Sequence, residues 1–305
     1  MRILITGATG MIGSEIVRQF HKKEVRINYL TTAKDKIQKQ ENYSGFYWNP
    51  AKGEIDFQCI EGVGAIIHLA GSSIFKPWTI KNKKEIIRSR VEGADLLYKT
   101  LEENEHEVGQ FVSASGISIY PSSYRKLYFE DEKQVADTFL GKLTREWEAA
   151  ADRFTSLGLR VAKIRTGIVL AEDGGALAQM QRPVKLGVGS PLGNGKQWQS
   201  WIHLEDLARI YIYTVENGLV GVYNATAPDP VTNRELMQEI AKIEGKKMWL
   251  PNVPAFGMKL VMGEMANVAL ESQLVASRKI QKAGFSFNFV NLGNSLRDLK
   301  LREEK

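Results

Sequence analysis

The sequence predicts an α/β protein, a doubly wound parallel sheet followed by a smaller mixed lobe, and three observations predict it. Short apolar runs alternate with stretches of helical periodicity through the first 170 residues, the pattern of parallel strands joined by crossover helices. A glycine-rich turn at residues 6–13 separates the first such run from the first helix. Beyond residue 170 the alternation gives way to glycine- and proline-rich stretches, which marks a second lobe.

Each element follows from its local pattern. Residues 2–6 form a short apolar strand, and Ile12, Ile16, Val17 and Phe20 recur at helical spacing. Residues 25–30 read as a second strand and 64–69 as a buried one. A basic amphipathic helix is expected over 81–103, a strand over 111–114, a helix over 135–154 and a strand over 160–170. Glycines 174, 175, 187, 189, 193 and 195 then crowd a loop-rich stretch. Helix returns at 203–216 and strand at 222–225. Thr232 with Glu235 three residues on is a capping box that opens a helix ending near Gly245. Pro251 and Pro254 interrupt, another helix follows, and Phe285, Phe287 and Phe289 alternate as in a strand. The expected domains are 1–170, with 200–225 returning to it, and a C-terminal lobe from 171–199 and 226–305.

Composition bounds the function. The 305 residues are 43% hydrophobic and 25% charged, ordinary for a globular protein and unlike disordered or collagenous chains. The single cysteine, Cys59, excludes a disulfide framework and a CxxC knuckle. No apolar run reaches the roughly 18 residues of a membrane helix, and the N-terminus lacks a signal-peptide h-region, so a cytoplasmic protein without membrane partner is expected. The net charge of +6 is too small and too dispersed for a nucleic-acid surface. It does concentrate locally: Lys76, Lys81, Lys83, Lys84, Arg88 and Arg90 face one acid, Glu85. That run is either a solvated helix face or an anion-facing one. Four scattered histidines give no metal-ligand spacing, so no metal is expected. No G-x-S-x-G elbow is present, and the Gly189 to Lys196 stretch fails the P-loop spacing.

The turn Thr6-Gly7-Ala8-Thr9-Gly10-Met11-Ile12-Gly13 carries the strongest chemistry. Glycines between a strand and a helix let backbone amides approach a pyrophosphate, and the helix N-terminus adds partial positive charge. The spacing is GxxGxxG. At the end of the second strand an NAD site places an acid to accept from the ribose 2′-hydroxyl. Here the segment is Leu30-Thr31-Thr32-Ala33-Lys34, with no acid before Asp35, which favours NADP and makes NAD the lesser expectation.

These residues resemble the extended short-chain dehydrogenase/reductase superfamily, in its atypical epimerase-like branch of nucleoside-diphosphate-sugar epimerase family proteins. The resemblance spans nearly the whole chain. Its landmarks are the glycine turn, HLAG at 68–71, Trp78, Ser89-Arg90, SASG at 113–116, Trp147 to Ala150 and Arg165 to Leu170. Further on come Ser200 to His203, Ala227-Pro228, Val231 to Asn233 and Gly263 to Ala266. The resemblance implies a Rossmann-type domain holding NADP. Gly7, Thr9, Gly10, Ile12 and Gly13 would line the pyrophosphate and Thr31 and Thr32 the adenosine end. Leu69, Ala70 and Gly71 would pass beside the cofactor, and Glu85, Arg90 and Arg165 would contact it. For Arg165 a structural ion pair at a strand end is the competing reading.

Redox members of that superfamily use a serine, a tyrosine and a lysine four residues after the tyrosine. The phenol is the acid or base and the ammonium lowers its pKa. Ser115 matches the serine, a candidate catalytic residue, but the downstream helix reads Phe139-Leu140-Gly141-Lys142-Leu143. Neither tyrosine nor lysine is in place, and Lys142 lies about 100° around the helix from the required face. Tyr120 is the nearest stand-in for a proton donor, against a packing role. Trp201 and His203 are candidate walls of a substrate pocket between the two lobes, against core and helix-cap roles. Two functions follow: an NAD(P)-dependent, epimerase-like oxidoreductase acting on a small polar molecule such as a sugar nucleotide, or a non-catalytic NADP sensor or scaffold. A homodimer is compatible with either.

Overall fold

The computed structural model describes residues 1–172 and 174–303. The chain forms two compact units: Met1–Gly116, Thr138–Arg165 and Ala208–Tyr223 make the first, and Ile117–Asp137, Thr166–Leu207 and the segment from Asn224 onward make the second.

In chain order the elements that build the first unit begin with β1 (Arg2–Thr6), α1 (Met11–His21), β2 (Arg26–Thr31), β3 (Lys39–Gln40), β4 (Tyr43–Asn49) and β5 (Glu54–Ile55). They continue with β6 (Ala65–His68), α2 (Ile80–Glu103) and β7 (Gln110–Gly116). After β8 (Leu127–Tyr128) of the second unit come α3 (Phe139–Asp152) and β9 (Arg160–Thr166). Within β1 and β6 the runs Ile3-Leu4-Ile5 and Ile66-Ile67 are buried on both faces, as a parallel sheet clothed by helices requires. Leu4, Ile66, Leu97, Phe111, Phe154 and Trp48 share one core, in which Phe111 and Phe154 stack at 3.7 Å.

The strand order is β13-β9-β7-β6-β1-β2-β4-β3, with β13 (Gly221–Ala225) arriving last in sequence and β5 paired to β4. Strands β1, β2 and β4 run parallel on one side, and β1, β6 and β7 on the other. The winding therefore reverses between β1 and β6, where Thr6 pairs with both Leu30 and His68. A crevice opens outside the carboxyl ends of the strands at such a switch point. The Rossmann-like architecture expected from the sequence is the one observed.

The second unit comprises β8, β10 (Ile168–Leu170), α4 (Gly175–Lys185), β11 (Trp198–Gln199) and β12 (Trp201–His203), with the first turn of α5 (Leu204–Glu216). It continues through β14 (Val231–Thr232), α6 (Asn233–Ile243), α7 (Ala255–Met262), α8 (Asn267–Leu270), β15 (Leu274–Val275), α9 (Arg278–Lys282) and α10 (Leu292–Glu303). Leu170, Leu177, Trp201, Leu236, Ile240 and Leu296 pack in its core. The Thr232–Glu235 capping box forms with both of its hydrogen bonds.

Three sequence expectations are corrected. The 160–170 strand breaks at Gly167, where a Cβ would stand 2.2 Å from the Ser200 carbonyl oxygen, and β10 turns to pair with β12. Phe285, Phe287 and Phe289 form no strand: the Asn288 and Phe289 amides donate to the Asp206 carboxylate, so they are not available for a ladder. Helix α3 starts at Phe139, capped by the Thr138 hydroxyl, four residues later than expected. The strand β4 and the helices α4 and α10 were not expected at all. Among the described residues no helix is long and apolar enough to cross a membrane, and no cluster of His, Cys, Asp and Glu could hold a metal.

Candidate functional site

The glycine turn after β1 is built without side chains because nothing else fits. Gly7 adopts φ +71°, a left-handed conformation that glycine alone takes without strain. A Cβ on Gly13 would lie 2.1 Å from the Gly7 carbonyl oxygen and 2.7 Å from Ala8 Cα. The first helical bond is Ser14 N–H to Gly10 C=O at 2.8 Å. Helix α1 has no side-chain cap and no acid in its first turn. The amides of Met11, Ile12 and Gly13 are thus free of intrahelical acceptors, at the positive end of the dipole. This is an anion cradle.

The segment after β6 is fixed against that turn by one residue. The Thr6 hydroxyl accepts from the Leu69 and Ala70 amides at 3.1 and 3.0 Å and donates to His68 Nδ1 at 2.9 Å. His68 is then the neutral Nε2–H tautomer, and after burial the Arg90 backbone is the group that acts most on its imidazole. Complete burial pushes the His68 pKa down to about 4. A side chain on Gly71 would come within 2.9 Å of Arg90 Cζ, so the loop lies directly over that guanidinium. Arg90 is buried, donates to the carbonyls of Ser72 and Ile86 at 3.1 and 3.0 Å and sits 4.8 Å over the Trp147 ring. Burial lowers its pKa to about 10, so it remains cationic at neutral pH, without a carboxylate partner among the described residues.

A cleft of about 740 Å³ opens here, within the first unit. Gly7, Thr9, Ala70 and Gly71 line it, with Thr31 and Thr32 at the end of β2 and Trp48 to Ala51 across the end of β4. Helix α2 contributes Lys81, Lys84, Glu85, Arg88, Ser89 and Glu92, a stripe at i, i+3, i+4, i+7, i+8 and i+11. Of the residues expected to hold a cofactor, Gly7, Thr9, Thr31, Thr32, Ala70, Gly71 and Glu85 thus share one cavity. Gly10, Ile12 and Gly13 belong to the adjoining turn, and Leu69 and Arg90 stand just behind the lining. Glu85 accepts from Lys76 Nζ at 2.7 Å and from Ser72 Oγ at 3.1 Å, and these bonds hold its pKa below the usual range, the Lys76 bond foremost. Lys34 turns instead over the Tyr47 ring, 4.7 Å from its centroid.

At the ends of β7 and β9 the expected catalytic serine is engaged otherwise than as a free donor. Ser115 Oγ donates to Glu148 Oε1 at 2.6 Å, and Arg165 clamps the same carboxylate through Nε at 2.8 Å and Nη2 at 2.9 Å. All three side chains are buried. Burial alone would raise the Glu148 pKa, but the Arg165 bonds and charge, with the Ser115 hydroxyl, hold it below the ordinary value. Arg165 is therefore the strand-end ion pair. Phe139, where the superfamily's tyrosine would stand, packs edge-on against Trp78 at 4.9 Å. Leu143 is buried and Lys142 exposed, as the helical offset predicts. Positions 139 and 143 thus carry neither a phenol nor an ammonium group.

The pocket residues expected in the second unit are enclosed by that unit's own packing. Tyr120 is 1% exposed and donates to Asn224 Oδ1 at 2.7 Å. Trp201 is fully buried and donates to the Asp229 carbonyl. His203 accepts the Glu205 amide at Nδ1, capping α5, and stacks on Phe289 at 3.7 Å. Packing and capping account for all three, and none offers surface to a small molecule. Sequence reasoning passed over Thr6, Glu148 and the Trp48 to Ala51 wall. Thr6 and Glu148 stood inside or beside quoted motifs, but their partners lie 17 to 64 residues away.

The pattern of the NAD dependent epimerase/dehydratase family matches residues 3–225, and that of a domain of unknown function, DUF1731, matches 253–299. An epimerase family protein of Staphylococcus epidermidis is 33% identical over 301 residues, 98% of each chain. One of Staphylococcus aureus is 34% identical over 299 residues, 97% of this chain and 98% of that protein. Among solved structures, the human epimerase family protein SDR39U1 with NADPH superposes with a TM-score of 0.83 at 28% identity, covering 98% of this chain and 99% of that one. The UDP-glucose 4-epimerase of Thermus thermophilus, in complex with NAD, superposes at 0.77 with 17% identity over 98% of each chain, a likeness of fold.

Proposed function

Because the chain belongs to the NAD dependent epimerase/dehydratase family, we propose that it binds NADP(H), in preference to NAD(H), along the cleft of its first unit and acts on a small polar substrate. The observation that carries this reading is the side-chain-free turn at Gly7 to Gly13, with unclaimed helix amides beside a cleft of about 740 Å³. A diphosphate fits such amides, and the segment from Leu30 to Lys34 carries no acid to repel a further phosphate. The human relative solved with NADPH supports the same choice. Gly7, Thr9, Gly10, Ile12 and Gly13 hold the diphosphate. Thr31 and Thr32 face the ribose, Leu69 to Gly71 run alongside, and Arg90 supplies positive potential from beneath the loop.

When bound, the nicotinamide supplies a hydride donor or acceptor. The chain's own residues then position rather than titrate. The Ser115 proton belongs to Glu148, so the Ser115 oxygen accepts a hydrogen bond from a substrate hydroxyl or amide in place of donating one to a carbonyl. Phe139 and Leu143 exchange no proton. A titration with NADPH and NADH, followed by tryptophan fluorescence with Trp48 at the cleft wall, tests the reading. Saturable quenching, tighter for NADPH, is expected, and no saturable response to either overturns it.

The same Phe139, Leu143 and Ser115 arrangement favours a second reading, a cofactor sensor or scaffold without turnover. Tight NADPH binding with no turnover across sugar nucleotides, aldehydes and ketones supports that reading. Cofactor-dependent conversion of any of them supports the enzyme.

A further inference from the structure

The distinction between NADP and NAD is one phosphate on the adenosine ribose, and the chain must meet its charge with a cation. The loop after β2 does not offer one to the cleft. Lys34 lies over the Tyr47 ring and is absent from the cleft lining, as is Lys36. The cations that do line the cleft are Lys81, Lys84 and Arg88, all from α2.

Their surroundings rank them. Glu85 accepts from Lys76 and Ser72 and makes no ion pair with Lys84 or Arg88 among the described residues. Glu92 accepts from Arg88 only through Nε, at 2.6 Å. That single bond fixes the plane of the guanidinium and leaves its forked Nη edge without a partner among the described residues, the edge that binds phosphate oxygens in pairs. Lys84 stands one helical turn before Arg88 on the same face. Arg88 is also the cation nearest the wall that continues Thr31 across the sheet. Thr31 pairs with Tyr47 in β4, the wall from Trp48 to Ala51 follows directly, and a Cβ on Gly93 of α2 would meet the Trp48 ring at 3.3 Å. Gly93 is five residues, about 7.5 Å of helix, beyond Arg88 and about 13.5 Å beyond Lys84.

We infer that Arg88, oriented by Glu92 and assisted by Lys84, reads the 2′-phosphate of NADP from helix α2, and that the loop after β2 supplies only hydroxyls. The inference rests on the cofactor reading above and names the residues that give it selectivity. Arg88 and Lys84 are exposed helix positions, so their glutamine variants fold as the parent does, which circular dichroism verifies.

The test is the ratio of the NADH to the NADPH dissociation constant, measured by tryptophan fluorescence for the parent, Arg88→Gln, Lys84→Gln, Glu92→Gln and Lys34→Gln. Arg88→Gln should weaken NADPH by about tenfold or more, the scale of a lost charge-assisted pair, while NADH affinity stays within about twofold. Lys84→Gln should lower the ratio less, Glu92→Gln by a fewfold through loss of orientation, and Lys34→Gln not at all. The NADPH affinity of the parent should also fall more steeply with salt than that of Arg88→Gln. A parent that prefers NADPH, with a ratio unmoved by Arg88→Gln or collapsed by Lys34→Gln, overturns this inference and leaves the cofactor reading standing. A parent that binds neither nucleotide overturns the cofactor reading itself.

Discussion

Replacing Glu148 by alanine removes a buried carboxylate from three hydrogen bonds, and its cost can be worked from the geometry. The carboxylate accepts one hydrogen bond from Ser115 and two from Arg165, and the side chains of Arg165 and Glu148 are only 7% and 9% exposed. Lys163 is 4.0 Å away but already holds Asp152 at 2.6 Å, so it cannot take over. Alanine takes the carboxylate away from a buried guanidinium, which costs about 3–5 kcal/mol. At roughly 2 °C per kcal/mol for a chain of this size, Tm falls by about 6–10 °C. Thermal unfolding followed by circular dichroism measures this. The double variant Glu148→Leu/Arg165→Met removes both charges and should recover most of the loss, short of about 1–3 kcal/mol for the Ser115 hydroxyl left without its acceptor. The pH dependence has a fixed sign. Since the folded-state pKa lies below the ordinary 4.5, the stabilisation is complete above that value and is lost as pH falls through the depressed one. Glu148→Gln should flatten that acid limb. A single-variant cost below about 1 kcal/mol, the behaviour of an exposed pair, would refute the reasoning.

Three more outcomes follow. Gly10→Asp should separate fold from binding: Gly10 has ordinary extended angles, φ −83° and ψ 169°, and aspartate is a favourable N-cap, so Tm holds or rises while NADPH quenching disappears. Gly13→Ala should damage both, because its Cβ would stand 2.1 Å from a backbone oxygen. A loss of about 1–3 kcal/mol in denaturant titration should accompany weakened NADPH affinity, and unchanged values for both would contradict the close packing of turn and helix. His68, with its pKa lowered to about 4 by burial, must stay neutral in the fold, so stability should fall by on the order of 3 kcal/mol between pH 6.5 and pH 4. His68→Asn should be less stable at pH 7 but lose less across that window, and parallel Tm-versus-pH curves would show that the imidazole is not the group responsible.

How legible the molecule was in its sequence depended on how local each interaction is. Residues 6–13 were readable because Gly10 and Gly13 answer to the backbone of Gly7 and Ala8 and Gly7 to its own positive φ. The strands around Ile3 to Ile5, Ile66 and Phe111 were readable because burial on both faces leaves an unbroken apolar run. Strand β4 was not: Tyr-Ser-Gly-Phe-Tyr-Trp-Asn neither alternates nor is aliphatic, and its existence depends on pairing with β2. With it went the Trp48 to Ala51 wall of the cleft. Ser115 was found by its place at a strand end, but its partner Glu148 required the register of α3 against β7. The aromatic alternation at Phe285, Phe287 and Phe289 misled because Asp206, 82 and 83 residues earlier, had already claimed the amides. Trp201 and His203 follow a glycine-rich stretch, which suggested surface, yet β12 runs straight into the second core.

The interleaving of the two units has a consequence during synthesis. The chain passes between them five times, and β13, the neighbour of β9 in the sheet, is translated roughly 55 residues after it. A nascent chain that has emerged only as far as residue 200 therefore carries an assembled apolar core bordered by a naked strand, ready to recruit any extended peptide nearby. Holdase binding should concentrate in that interval. No single cut in the gene yields two self-sufficient halves, because every cut strands at least one unit without a piece that arrives later.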